Sequence, residues 1–74
     1  MIASDPQGNI YVADYGNDRI EKFDPDGKFL AQWGGSSSLG VRFSQPWGLA
    51  VDSQANFYVT EFGAKRVRKI HMPG

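Results

Sequence analysis

Residues 9–23 read Asn-Ile-Tyr-Val-Ala-Asp-Tyr-Gly-Asn-Asp-Arg-Ile-Glu-Lys-Phe, and residues 56–70 read Asn-Phe-Tyr-Val-Thr-Glu-Phe-Gly-Ala-Lys-Arg-Val-Arg-Lys-Ile. The two stretches stand 47 positions apart, and the register extends outward until residues 2–27 lie on residues 49–74. Ten of these 26 pairs are identical: Ala3/Ala50, Asp5/Asp52, Gln7/Gln54, Asn9/Asn56, Tyr11/Tyr58, Val12/Val59, Gly16/Gly63, Arg19/Arg66, Lys22/Lys69 and Gly27/Gly74. Others keep their chemistry, as in Ile10/Phe57, Asp14/Glu61, Tyr15/Phe62 and Ile20/Val67. The chain is therefore built from one unit used twice.

A period of this length suits either a four-stranded propeller blade or a helical array. Composition decides between them. Ten aromatics and nine Val or Ile stand against three Leu, and β-branched and aromatic side chains suit pleated surfaces. No window sustains the i, i+3, i+4, i+7 apolar stripe of an amphipathic helix. Turn chemistry then marks the strands. Asp5-Pro6-Gln7-Gly8 and Asp24-Pro25-Asp26-Gly27 both place Pro at the second and Gly at the fourth position of a turn. Strands are expected at 2–5, 9–14, 19–24 and 28–33, then at 49–52, 56–61 and 66–71. The segments Ile10-Tyr11-Val12-Ala13, Phe57-Tyr58-Val59-Thr60 and Phe29-Leu30-Ala31-Gln32-Trp33 carry apolar atoms at odd and even positions alike. Successive strand side chains point to opposite faces, so both faces need covering. Stacked blades provide that cover.

The pattern Pro46-x-Gly48-Leu49-Ala50-Val51-Asp52, then Asn56-x-Tyr58-Val59, Gly63 and Arg66-Val67-x-Lys69-Ile70 resembles the NHL repeat of β-propellers. Residues 5–23 carry the first copy of it, and Gly40-x-x-Phe43-x-x-Pro46 resembles the approach to a new repeat. The expected fold is all-β, with four-stranded antiparallel blades: a first blade at 2–33, a Gly/Ser-rich connection at 34–45 and a second blade at 46–74 without its outer strand. Two periods of 47 need 94 residues, 20 more than the 74 present. The resemblance implies a ring of about six blades, and repeat units of this kind need roughly three or more neighbours for stability. Either the chain is part of a longer propeller or copies associate, as a trimer, a larger ring or a filament. Association is the favoured expectation. In the second copy Ala55 replaces Gly8, and Pro73 falls where Asp26 stands, so the last strand is expected to be an open edge.

Charge and composition narrow the chemistry. Eight basic residues balance eight acidic ones, and there is no cysteine. A disulfide framework and a thiolate zinc site are thereby excluded. Nothing in the chain is long and apolar enough to span a membrane as a helix, and Met1-Ile-Ala-Ser-Asp lacks a secretory pattern, which leaves the compartment unassigned. His71 is the only histidine, Ser36, Ser37 and Ser38 sit in the connection, and no nucleophile elbow exists. No enzyme activity, cofactor or metal is expected. The acids at Asp24 and Asp26 read as turn formers rather than a calcium loop, and Asp5/Asp52 and Asp14/Glu61 read as strand-end hydrogen-bonding groups.

Two surface features remain. Antiparallel connectivity puts the loops after the second strands on one rim with the 34–45 connection, the rim that the resemblance marks for ligands. Tyr15, Asn17, Asp18, Phe62 and Lys65 are the candidate partner-binding residues there, although repeated aromatics more often pack blades together. Lys65, Arg66, Arg68 and Lys69 form a candidate basic patch. Residues 1–27 carry six acids and two bases, whereas residues 49–74 carry two acids and four bases. This asymmetry suits docking of an acidic blade of one copy on a basic blade of the next, complementary charge setting orientation. Another protein is a further possible partner; nucleic acid is disfavoured by the overall neutrality. Such propellers serve as protein-binding, RNA-binding or enzymatic scaffolds, so a lyase or lactonase propeller with its active site in other blades is the competing class.

Overall fold

A computed structural model describes residues 1–34, 42–54 and 56–71. The first sheet has four antiparallel strands in sequential order: β1 (Ile2–Ser4), β2 (Ile10–Asp14), β3 (Arg19–Phe23) and β4 (Phe29–Gly34). The second has three: β5 (Pro46–Val51), β6 (Asn56–Glu61) and β7 (Arg66–His71). Among the described residues helix is confined to one 3₁₀ turn at Tyr15–Asn17. The all-β expectation holds, and the sheets are two blades. Ala55, Pro73 and Ser36, Ser37 and Ser38 of the connection lie outside the described residues.

One turn design recurs three times. In each, an aspartate side chain accepts backbone N–H bonds from residues two and four positions ahead: Asp5 from Gln7 and Asn9, Asp24 from Asp26 and Lys28, Asp52 from Gln54 and Asn56, all at 2.8–3.0 Å. An aspartate thus holds the turn in the shape that its neighbours' N–H groups require. Asp24 and Asp26 are accounted for by this turn.

Strand pairing sets which side chains share a face. Ala3, Tyr11, Lys22 and Ala31 lie in one row across the first blade, and Ala13, Ile20 and Trp33 in the next. In the second blade Leu49, Val59 and Arg68 form one row, with Val51, Phe57 and Ile70 beside it. These two faces pack against each other. Tyr11, Ile20, Trp33, Phe43, Phe57 and Val59 form the buried cluster, with Ala31, Leu49, Val51 and Ile70 at its margin. The Phe57 ring meets Tyr11 edge-on at 4.7 Å and Trp33 at 6.0 Å between centroids, a preferred aromatic geometry.

β5 begins at Pro46 rather than at residue 49. Proline is tolerated at the first position of a strand, and the register slips between Pro46 and Gly48, leaving Trp47 as the bulged residue. Trp47 is turned out to solvent as a result. Gly34 ends β4 at φ 88°, and a Cβ there would stand 2.6 Å from the Asp18 carbonyl oxygen and 2.7 Å from the Phe43 ring. Both the backbone conformation and the space demand glycine. Gly34→Ala is expected to lower unfolding free energy by about 2–4 kcal/mol, measured by urea denaturation; an unchanged midpoint would contradict this packing.

Candidate functional site

The blades meet around a strap, residues 42–46, which runs from the first blade into the second. Phe43 is buried in the core cluster. On the side of the first blade, the Gln45 N–H donates to Asp18 Oδ1 at 2.9 Å. On the side of the second blade, Phe62 N–H donates to the Gln45 carbonyl at 3.0 Å and Gly63 N–H to the Ser44 carbonyl at 3.2 Å. The Arg68 guanidinium donates to the Arg42 carbonyl at 2.6 Å and lies over the Phe43 ring, 5.5 Å from its centroid. The strap is thus stitched to both blades.

Glu61 anchors this junction. It is 1% exposed, the only buried charged residue among those described. One oxygen accepts from Arg66 and the other from Arg68 at 3.1 Å and from the Ser44 N–H at 3.4 Å. Burial works to raise its carboxyl pKa, but the bonds from Arg66, Arg68 and Ser44 outweigh it and hold the group below its ordinary range. Its counterpart Asp14 is more open, bonded to the Asn17 amide at 3.0 Å and 3.4 Å from Arg19.

Asp5 and Asp52 form a second repeated arrangement. Beyond its turn bonds, each accepts from the asparagine amide four residues on and from a tyrosine hydroxyl: Tyr11 to Asp5 at 2.8 Å, Tyr58 to Asp52 at 3.1 Å. Burial pushes the Asp5 carboxyl up, yet the bonds from Tyr11, Asn9 and Gln7 prevail and lower it. Burial, and then the Asp5 bond, raise the Tyr11 hydroxyl in turn. At Asp52 the backbone and side-chain bonds from Asn56 come first, and its pKa falls to about 2. A carboxyl depressed in the folded state contributes stability that is complete above its unfolded pKa, about 4. That contribution disappears as pH falls through about 2. An NMR titration is expected to place the Asp52 midpoint near 2, and a midpoint near 4 would contradict the turn geometry.

The candidate rim residues divide. Tyr15 and Phe62 come together around Trp47, with centroids 5.7 Å (Tyr15–Trp47) and 6.3 Å (Tyr15–Phe62) apart. Trp47 and Phe62 are largely exposed, so these aromatics line the rim instead of the blade core; Trp33 alone of the pair Trp33/Trp47 is buried. Lys65 lies beside Phe62 and Trp47 along a cleft of about 380 Å³ that reaches Val67. Asn17 is engaged with Asp14, and Asp18 with the strap. Asp18 and Lys65, one period apart, share the left-handed conformation at φ 52° and 53°, so the two rim turns have the same shape.

The four basic residues also divide. Strand alternation puts Arg66 and Arg68 on the face bearing Glu61, whereas Lys69 lies on the opposite face, 5.9 Å from the Tyr58 ring centroid. Sequence reasoning missed Glu61 and the strap's Phe43, Ser44 and Gln45 as joint elements. Phe43-x-x-Pro46 was the available signal. His71 is exposed at the strand end, with Nδ1 3.3 Å from Asn56 Oδ1. Among the described residues no cluster of three or more His, Asp or Glu is arranged to hold a metal ion.

Two antiparallel sheets, one packed face to face on the next and stitched by a strap, are successive blades of a β-propeller. The NHL repeat pattern matches residues 2–23 and 43–70, more than half of the chain. The chain belongs to the NHL-repeat family. It is 45% identical over 56 residues to peptidyl-glycine alpha-amidating monooxygenase of Mus musculus and, at the same identity and span, to the Rattus norvegicus enzyme. Against peptidyl-glycine alpha-amidating monooxygenase A of Xenopus laevis the figure is 50% over 42 residues. These matches cover 68% of this chain and 6% of the rodent proteins, and 54% and 4% for the Xenopus protein.

Proposed function

We propose that the chain is a non-catalytic NHL blade pair that docks head to tail with further copies of itself, completing a ring of about six blades or extending as a filament. One observation carries this reading: each face left open repeats a face that is buried between the blades. The open face of the second blade bears Ala50, Tyr58, Thr60, Val67 and Lys69, the counterparts of Ala3, Tyr11, Ala13, Ile20 and Lys22. The open face of the first blade bears Ile2, Ile10, Val12, Glu21 and Phe23, the counterparts of Leu49, Phe57, Val59, Arg68 and Ile70. Burial registers the difference. Ile20 is 0% exposed and Val67 71%; Tyr11 is 5% exposed and Tyr58 38%. The two open faces are thus the two halves of one heterologous joint. Charge gives modest support: Glu21, Asp14 and the Arg19 that pairs with both leave the first open face one net negative charge, and Lys69 lies on the second. Sedimentation equilibrium tests the proposal: masses that are multiples of 8.2 kDa, six-bladed trimers among them, agree with it. A folded monomer at tens of micromolar overturns it.

A second reading is favoured by the relatives: the pair is part of a propeller within an enzyme resembling the peptidyl-glycine amidating monooxygenases. It predicts amidating activity in a longer parent protein, none in this chain, and no self-association. RNA binding has less support, because Arg66 and Arg68 are committed to Glu61. Retention on an RNA column at physiological salt would reverse that ranking.

A further inference from the structure

Asp18 and Lys65 stand at the same place in the two rim turns, in the same left-handed conformation, and carry opposite charges. Both are exposed, and the ion pairs among the described residues involve Arg19, Arg66 and Arg68 rather than either of them. Three residues before each charge stands an aromatic ring. Those rings, Tyr15 and Phe62, meet beside Trp47 and line with it a hollow of about 240 Å³. Trp47 has a blade on either side and is still 56% exposed; Tyr15, with Trp47 packed on it, keeps 37%. Packing of one blade on the next therefore does not use up this apolar surface.

We infer that this rim is an isologous docking surface, through which assemblies of the chain pair face to face. An apolar centre with an acid on one flank and a base on the other is self-complementary about a two-fold axis. The axis runs through the aromatic centre and exchanges the two turns, so Asp18 of each copy faces Lys65 of the other and the Trp47 rings meet. Shifted by one blade, the axis would lay Asp18 on Asp18 and Lys65 on Lys65; charge selects the register. The rings supply the attraction, as Trp and Tyr do at the centres of interfaces. Three rings are too little surface to hold two single chains together. In a six-bladed trimer, however, acid and base alternate around the rim and every Asp18 finds a Lys65. Contacts made together then gain by avidity. The pairing rests on the head-to-tail reading and adds a second interface to it.

Native mass spectrometry and sedimentation velocity of the whole protein test this. Paired assemblies are expected, twice the mass of the single ones. Trp47→Ala is expected to leave the single assemblies intact and to weaken pairing on the order of tenfold or more. Asp18→Lys and Lys65→Asp are each expected to abolish pairing, because each lays like charge on like. Lys65 itself shows that this turn accepts lysine, at φ 53°. Mixing the two preassembled variants is expected to restore pairing, since every contact then joins opposite charges. Circular dichroism checks that the variants fold. Asp18→Asn keeps an acceptor for the Gln45 N–H and is expected to weaken pairing about 2–5-fold per contact, even where Asp18→Lys fails to fold. Native assemblies that stay single, pairing indifferent to Trp47→Ala, or a mixture that pairs no better than its components overturns this inference alone. Two-chain dimers that obey the same charge exchange, without larger assemblies, overturn the head-to-tail reading alone. No association of any kind overturns both.

Discussion

Glu61→Ala is expected to lower unfolding free energy by about 2–3 kcal/mol, less than for a fully buried ion pair because both arginines left behind reach solvent. Among the described residues the carboxylate alone bonds Arg66, Arg68 and the Ser44 N–H together. Removing it leaves a cavity and strands the Ser44 N–H, while Arg66 turns to solvent and Arg68 keeps its bond to the Arg42 carbonyl. Glu61→Gln keeps the volume and loses the charge, so an intermediate cost is expected. Arg66→Ala should cost less than either, because its side chain is half exposed and Arg68 still faces the carboxylate. The pH dependence has a definite sign. Because the folded state holds Glu61 below its ordinary pKa, its contribution is complete above about 4.3 and is lost as pH falls through the depressed value. Urea denaturation at pH 7 and in steps below pH 5 checks this. A Glu61→Gln protein with the wild-type pH slope would contradict it.

Val67→Asp is expected to abolish self-association while leaving each chain folded. In the single chain Val67 is 71% exposed, and substitutions at such sites stay within about 0.5 kcal/mol. In the proposed joint it takes the place of Ile20, where an unpaired carboxylate would be excluded from water. The expected weakening of association is on the order of 100-fold or more. Ile20→Asp makes the contrast: the same chemistry one period earlier lies inside the existing joint, and that protein is expected not to fold. Circular dichroism and sedimentation velocity on the two variants measure both effects. A Val67→Asp protein that still associates as the wild type does would remove the open face of the second blade from the account.

The blade pattern was legible because its determinants are local. The Asp-x-Gln-Gly and Asp-x-Asp-Gly turns and the strands apolar at odd and even positions lie in short windows, and setting two such windows 47 residues apart shows the repeat. The start of β5 was not, because a bulge at Trp47 lets pairing continue back to Pro46, and bulges leave no fixed sequence mark. Glu61 read as a strand-end acid like Asp14. Its carboxylate meets the Ser44 N–H, seventeen residues away, so only tertiary packing distinguishes the two. The basic run at 65–69 looked like one patch, though alternation along β7 already separates Arg66 and Arg68 from Lys69. Lys65 became informative only when its turn proved to share the shape of the Asp18 turn.

The central claim is that the open faces are the two halves of the joint seen between the blades. Within the chain that joint brings Tyr11 and Phe57 to 4.7 Å; one period on, it pairs Tyr58 of one copy with Ile10 of the next. The protein has no cysteine, which makes single-cysteine crosslinking clean. Equimolar Ile10→Cys and Tyr58→Cys proteins are mixed, oxidised and resolved by mass. The 10–58 heterodimer is expected to dominate over the 10–10 and 58–58 species. A statistical mixture of the three, or no crosslinking, would contradict it.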